Sequence, residues 1–226
     1  MEPKRLLECA PEVQAAAFIN DENTLNDRPV LALLVAEIIS TWSMVEGMEA
    51  LAFLMLSGSE GKKAVAIYSQ LKGRFAREAL CALAKELSDA ERHIFFAALR
   101  NIDRVKGQRD LLAHGVIGHN SADPSILVVI PQAAMLSHMR SLFLEQHLVR
   151  TVSEQEQIKA KAMEAFKANA VVYSETDLQE IVKECRQAHD LMRDIAVLVC
   201  EVHPLKDATR QRLRERFPTK NGKRID

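Results

Sequence analysis

The sequence predicts a mainly α-helical fold, a bundle of four to five core helices carrying a small β-hairpin or three-strand insertion. Three observations carry this. Prolines leave two long windows clear, Val30 to Asp123 and Gln132 to His203. Aromatics are only 5% of the chain while Ala and Leu are abundant, which favours helix over sheet. Apolar residues recur at three- and four-residue spacing over Ile94–Val105, and the apolar positions between Leu178 and Leu198 suit a helical bundle.

With 226 residues, 48% of them apolar and 27% charged, the chain has the composition of a globular protein of one substantial domain or two small ones. The formal net charge is −1. Residues 204–226 hold eight Lys/Arg and three Asp/Glu, a local +5, so the remainder carries −6. A balance near zero argues against a strong polyanion binder, although the basic tail is a candidate local contact. Cys9, Cys81, Cys185 and Cys200 show no CxxC spacing, so reduced thiols in a cytoplasmic protein are expected, with neither a zinc ribbon nor a disulfide framework.

Residues 1–28 read as an N-terminal arm with one short helix at most, and Met1 to Ala10 is too polar for a signal peptide. Asn26-Asp27-Arg28-Pro29 then starts a helix to about Leu56, with proline in its first turn. This helix is apolar nearly all round. Glu37, Glu46 and Glu49 interrupt it, which speaks for a protein core rather than a lipid span. At about 100° per residue Glu46 faces away from Glu37, so neighbours or a second subunit should enclose the helix.

Ser57-Gly58-Ser59-Glu60-Gly61 breaks the chain, and helices follow over Lys62–Leu71 and Arg74–Leu87. Ser88-Asp89-Ala90-Glu91 is a capping box opening a fourth helix towards His114. Its apolar positions are Ile94, Phe95, Ala98, Ile102 and Val105, and Gly115 is its stop signal. Val116-Ile117 and Ile126–Ile130 suggest a hairpin around a turn at 120–124, with Val171–Tyr173 as a candidate third strand. Between them, Leu136–Leu148 reads as helix or strand and Glu154–Asn169 as an exposed helix. Ser174-Glu175-Thr176-Asp177 opens a last long helix ending near His203-Pro204.

Gly-rich phosphate loops, GxSxG elbows and HExxH are absent from the sequence. Cys185/His189 and Cys200/His203 have helical spacing but no third ligand nearby, so no metal site and no cofactor are expected. The segment Arg109-Asp110-Leu111-Leu112-Ala113-His114-Gly115 is different, because a permanent cation, a carboxylate and an imidazole fall within six residues. Asp110 and His114 are i, i+4 and share a helix face. Arg109 and His114 are five apart, about 140° around a straight helix, and converge only at a bend, a helix end or a two-fold axis. The competing reading is a plain helix terminus, where Arg and His complement the last carbonyls before a glycine.

Arg109-Asp110-Leu111-Leu112-Ala113-His114 resembles the R-x4-6-H signature of the HEPN superfamily, whose residue after the arginine is typically polar. Trp42-Ser43-Met44-Val45-Glu46 on the long first helix, the late motif and the β insertion fit the same architecture. The resemblance implies a HEPN-like helical domain over 29–203, with an insertion at about 116–173 and a basic tail at 204–226. It implies a cytoplasmic homodimer away from membranes that cuts RNA without a metal, in a toxin, phage-defence or RNA-processing setting, with an antitoxin protein as a candidate partner. The alternative is a HEPN-like module that binds RNA or protein without cleaving.

The roles implied are His114 as acid or base, Arg109 as the bidentate phosphate holder, and Asp110 as the group orienting His114. Glu46 is a candidate to reach the motif, or else faces a partner. Arg210, Arg212, Arg214 and Arg216 are candidates to follow an RNA backbone, or belong to a frayed end. HEPN toxins controlled by a partner nucleotidyltransferase are modified on a Tyr two residues beyond the His. Val116 stands there, so control of that kind is not expected.

Overall fold

A computed structural model describes residues 3–58, 61–71, 74–145, 151–200 and 203–218. The chain is mainly helical with one small antiparallel sheet. It divides into two compact units, residues 1–39 with 107–182, and residues 40–106 with 183–226. Three long helices contribute to both: α2 (Pro29–Ser57), α5 (Asp89–His114) and α8 (Glu175–Val199).

The first unit is organised by a five-stranded sheet, larger than the hairpin or three-strand insertion expected. Its strands are β1 (Lys4–Arg5), β2 (Phe18–Ile19), β3 (Val116–Asn120), β4 (Leu127–Ile130) and β5 (Val171–Tyr173), in the order β1-β5-β4-β3-β2. Val116 pairs with Ile130 and Val129 with Val171, so the hairpin and the returning third strand form as read from the sequence. Both edges come from residues 1–28. Lys4 pairs with Val172 and Phe18 with Asn120. The arm is therefore part of the sheet. Two-residue strands carry no alternating pattern, so only their pairing partners define them.

Side chains secure those edges. The Arg5 guanidinium donates to the Ala168 carbonyl at 2.7 Å, and the Asn120 amide donates to the Val13 carbonyl at 2.7 Å. Arg28 donates to the carbonyls of Pro124 and Thr24 at 2.8 and 2.9 Å, just before Pro29 begins α2. Gly118 is required by close approach: a Cβ there would lie 2.6 Å from the Ile19 carbonyl and 2.5 Å from the Phe18 ring. Every residue of β4 is buried. Ile126, Val128, Ile130 and Val172 form a core with Leu6, Phe166 and Ala170. Each large apolar side chain so enclosed contributes about 1.5–3 kcal/mol of burial.

Of the segment 136–148 read as helix or strand, residues 136–145 are helical, in α6 (Gln132–Arg140) and a π turn over Ser141–Glu145, and residues 146–148 lie outside the described residues. The charged run forms α7 (Val152–Asn169), opened by a Thr151–Glu154 capping box. It buries Ala162 and Phe166 and so is not wholly exposed. The short α1 (Pro11–Ala15) precedes β2.

The second unit also holds α3 (Gly61–Gln70) and α4 (Arg74–Leu83), with a 3-10 turn over Ala84–Glu86. The Ser88 hydroxyl accepts from the Glu91 amide at 3.4 Å and donates to its carboxylate at 2.7 Å, which starts α5. Trp42, Val45, Leu80, Phe95, Ile102, Leu191 and Ile195 are almost wholly buried. Helix α8 ends at Val199, earlier than the proline-based boundary near His203.

The basic tail is not a frayed end over its described part. Residues Lys206–Arg216 form α9, with Thr209 and Leu213 buried. Arg210 meets Glu91 at 2.8 Å and Arg212 meets Asp194 at 2.6 Å. Arginines read as candidate RNA contacts thus neutralise carboxylates of their own unit, partners 119 and 18 residues away in sequence.

Helix α2 is long and apolar enough to cross a bilayer, and only a third of its most apolar window is buried. Val30, Leu33, Met44 and Met55 are exposed on it. On the same helix the Trp42 indole donates to Glu46 at 3.0 Å, and Glu49 meets Arg77 at 2.9 Å. Glu46 thus caps the buried tryptophan within its own helix.

Candidate active site

Helix α5 carries the motif in its last two turns. Asp89 and Glu91 lie in the first turn and His114 in the last, matching the helix dipole at both ends. Ile94, Phe95, Ala98, Ile102, Val105 and Leu112 are all buried, so the 3-4 spacing decides which residues remain for the surface.

The helix stays regular through the motif. The Gly115 amide donates to the Leu111 carbonyl at 2.7 Å and closes the last turn. Among the described glycines only Gly58 has a positive φ, so Gly115 is not the left-handed cap its position suggests. It is needed for space. A Cβ at Gly115 would lie 2.7 Å from the Val129 side chain and 3.1 Å from the Ile130 carbonyl, and the Leu111 carbonyl is nearer still. The end of α5 therefore presses on β4 and runs directly into β3. His114 sits at a helix–strand junction rather than on a loop, and such support favours a fixed geometry.

The three candidate residues occupy distinct environments. Arg109 is largely enclosed, its side chain 13% exposed, and its Nη1 donates to Asp110 Oδ1 at 2.9 Å. Asp110 is partly exposed. His114 is exposed and has no hydrogen bond or ion pair among the described residues. Arg109 and Asp110 are brought together; Asp110 is engaged with the arginine rather than the imidazole. On this straight helix Arg109 and His114 are separated by about 7.5 Å of rise and about 140° of rotation.

Metal ligation finds no cluster here. No group of three or more His, Cys, Asp or Glu side chains gathers among the described residues. Cys185 is buried. His189 lies 3.7 Å from Asp190. The Nδ1 of His203 accepts from the Leu205 amide at 3.1 Å.

A second polar cluster was not identified in the sequence. In the second unit Arg77 bridges Glu49 at 2.9 Å and Asp103 at 2.5 Å, and the Tyr68 hydroxyl donates to Glu49 at 3.3 Å. Burial pushes the Glu49 carboxyl up, which the Arg77 charge and the Tyr68 hydrogen bond only partly counter. Burial, with the Glu49 charge next, also raises the Tyr68 phenol. The signal available was a glutamate in an apolar helix, which must find a partner; its identity lay 28 residues away. The geometry suits cross-linking α2, α3, α4 and α5 within this unit.

No family model, curated protein or solved structure matches the chain.

Proposed function

We propose that this chain is a HEPN-like domain acting as a cytoplasmic, metal-independent endoribonuclease, with Arg109 and His114 as its catalytic residues and Asp110 as the group positioning Arg109. The observation that carries the reading is the arrangement at the end of α5. An exposed imidazole stands at a rigid helix–strand junction, and an enclosed guanidinium, held by its neighbouring carboxylate, lies about 1.4 turns earlier.

The chemistry asks for these groups. The RNA 2′-hydroxyl oxygen attacks its own phosphorus as its proton leaves to a base. The P–O5′ bond breaks, and the departing oxygen takes a proton from an acid. The products are a 2′,3′-cyclic phosphate and a 5′-hydroxyl. An imidazole serves either proton transfer near neutrality. A guanidinium offsets the charge growing on the phosphoryl oxygens.

The 140° between Arg109 and His114 argues for two copies, with each chain's histidine completing the other's site. The exposed apolar residues of α2 support a homodimer, because an unpartnered apolar helix face favours burial. Toxin, phage-defence or RNA-processing roles suit this reaction, and an antitoxin protein would be its natural inhibitor.

The test incubates the purified chain with mixed single-stranded and structured RNA in EDTA, beside His114→Ala. Cleavage that survives EDTA, leaves cyclic-phosphate ends and vanishes in the variant supports the enzyme. A second reading, a HEPN-like module that binds RNA or protein without cutting, is favoured by the enclosure of Arg109 and its neutralisation by Asp110. Retention of RNA without cleavage would select it.

A further inference from the structure

The second unit contains a pocket of about 450 Å³ enclosed by the C-terminal half of α2, the end of α8 and the start of α9. That volume lies within the usual range for small-molecule sites, about 300–1,000 Å³. It is independent of the Arg109–His114 reading, whose residues belong to the other unit.

Its wall is chiefly apolar, with Met48, Leu51, Met55 and Val197 presenting flexible or aliphatic side chains. Thioethers adapt to a flexible chain better than branched residues do. The polar members are Arg193, Arg212, His203, Thr209 and Asp194. Asp194 is committed, since Arg212 holds it at 2.6 Å and its side chain is only 12% exposed. Arg193 meets Asp190 at 3.3 Å. Each of these contacts uses one guanidinium nitrogen, and both arginines are more than half exposed, so donors remain on each. The Nδ1 of His203 accepts from the Leu205 amide, which leaves Nε2 as the protonated nitrogen of the neutral ring. Apart from the committed Asp194, the charged and imidazole groups of the pocket are therefore donors, seeking an acceptor beside an apolar body.

We propose that this pocket binds an amphipathic carboxylic acid, with its hydrocarbon chain among Met48, Leu51, Met55 and Val197 and its carboxylate on Arg193 and Arg212. The planar guanidinium fork matches a carboxylate in two parallel hydrogen bonds. The enclosed volume suits a chain of medium length.

Isothermal titration of the full chain with decanoate, kept below its micelle-forming concentration, tests this beside 1-decanol and decyl phosphate. One-site binding of decanoate is expected, with decanol about tenfold weaker or worse through loss of the charge-assisted bonds. Arg193→Gln, at an exposed position, should weaken decanoate by about tenfold. Met55→Glu, which sets a like charge against the ligand, should weaken it comparably. Circular dichroism and the thermal midpoint confirm that each variant is folded. Three results overturn the proposal: no decanoate binding, equal affinity for decanol, or unchanged affinity in either folded variant. Tighter binding of decyl phosphate than of decanoate overturns the carboxylate assignment in favour of a phosphate head.

Discussion

Arg109 donates to Asp110, the residue beside it, across 2.9 Å, and the arginine side chain is 13% exposed. Adjacent residues on a helix point about 100° apart, so this contact bends both side chains into the angle between them. It ties the guanidinium to its neighbouring carboxylate and leaves the exposed imidazole of His114 outside the pair.

His114 should therefore be separable from folding. His114→Ala removes an exposed side chain with no hydrogen-bond partner among the described residues, so the unfolding free energy should change by less than about 0.5 kcal/mol. RNA cleavage should disappear. Chemical denaturation and a gel-based cleavage assay measure the two; equal activity in a folded variant rejects the scheme.

Replacing Arg109 with Lys keeps a charge but removes the fork, and should lower the cleavage rate about 100-fold. Asp110→Ala should have a smaller effect, about tenfold, because the guanidinium survives without its anchor. Rescue by Asp110→Asn, which can still accept a hydrogen bond, would mark Asp110 as positioning. Single-turnover rates decide between them.

Gly115→Ala tests the close approach of α5 to the sheet. The added methyl would stand 2.7 Å from the Val129 side chain, with backbone oxygens on either side that cannot turn away. A loss of about 2–3 kcal/mol is expected in urea unfolding. A neutral result would show that the junction yields, and with it the fixed seat of His114.

Two carboxylates should respond to pH with opposite sign. Glu49 has its folded pKa raised above 4.5 by burial, so its contribution is greatest below that value and is lost as pH rises and the buried carboxyl ionises. The stability of Glu49→Gln relative to the parent should thus rise from pH 4 to 7. For Glu91, burial is outweighed by the Ser88 hydroxyl and Arg210, which hold its pKa below 4.5. Its contribution is present above 4.5 and lost as pH falls, so the deficit of Glu91→Gln should shrink in acid. Thermal unfolding of both variants across pH reads the two slopes.

The docked tail should carry stability. Leu213 is 1% exposed on α9, and Leu213→Ala should cost about 3 kcal/mol. Removing Arg212 leaves the largely buried Asp194 without its 2.6 Å partner and should be of similar severity. Denaturant midpoints for the two variants check this; tail variants that unfold like the parent would return α9 to the role of a loose basic extension.

Local sequence determined the long helices, because the information for them is local. Ser88 and Glu91 capped α5, Pro29 opened α2, and the spacing from Ile94 to Val105 set which face of α5 is buried. The short continuous runs of β-prone residues at 116–117, 126–130 and 171–173 likewise announced three strands. Tertiary structure alone decided the rest, since it depends on partners far apart along the chain. Lys4 and Phe18 became strand residues through Val172 and Asn120, and Glu49 met Arg77 from 28 residues away. Arg210 and Arg212 turned inward to Glu91 and Asp194. The motif at 109–114 shows the division most clearly: periodicity put Asp110 and His114 on one face, but in the folded chain the carboxylate pairs with the largely enclosed Arg109, because a charge taken out of water gains more from an opposite charge than an exposed imidazole can offer.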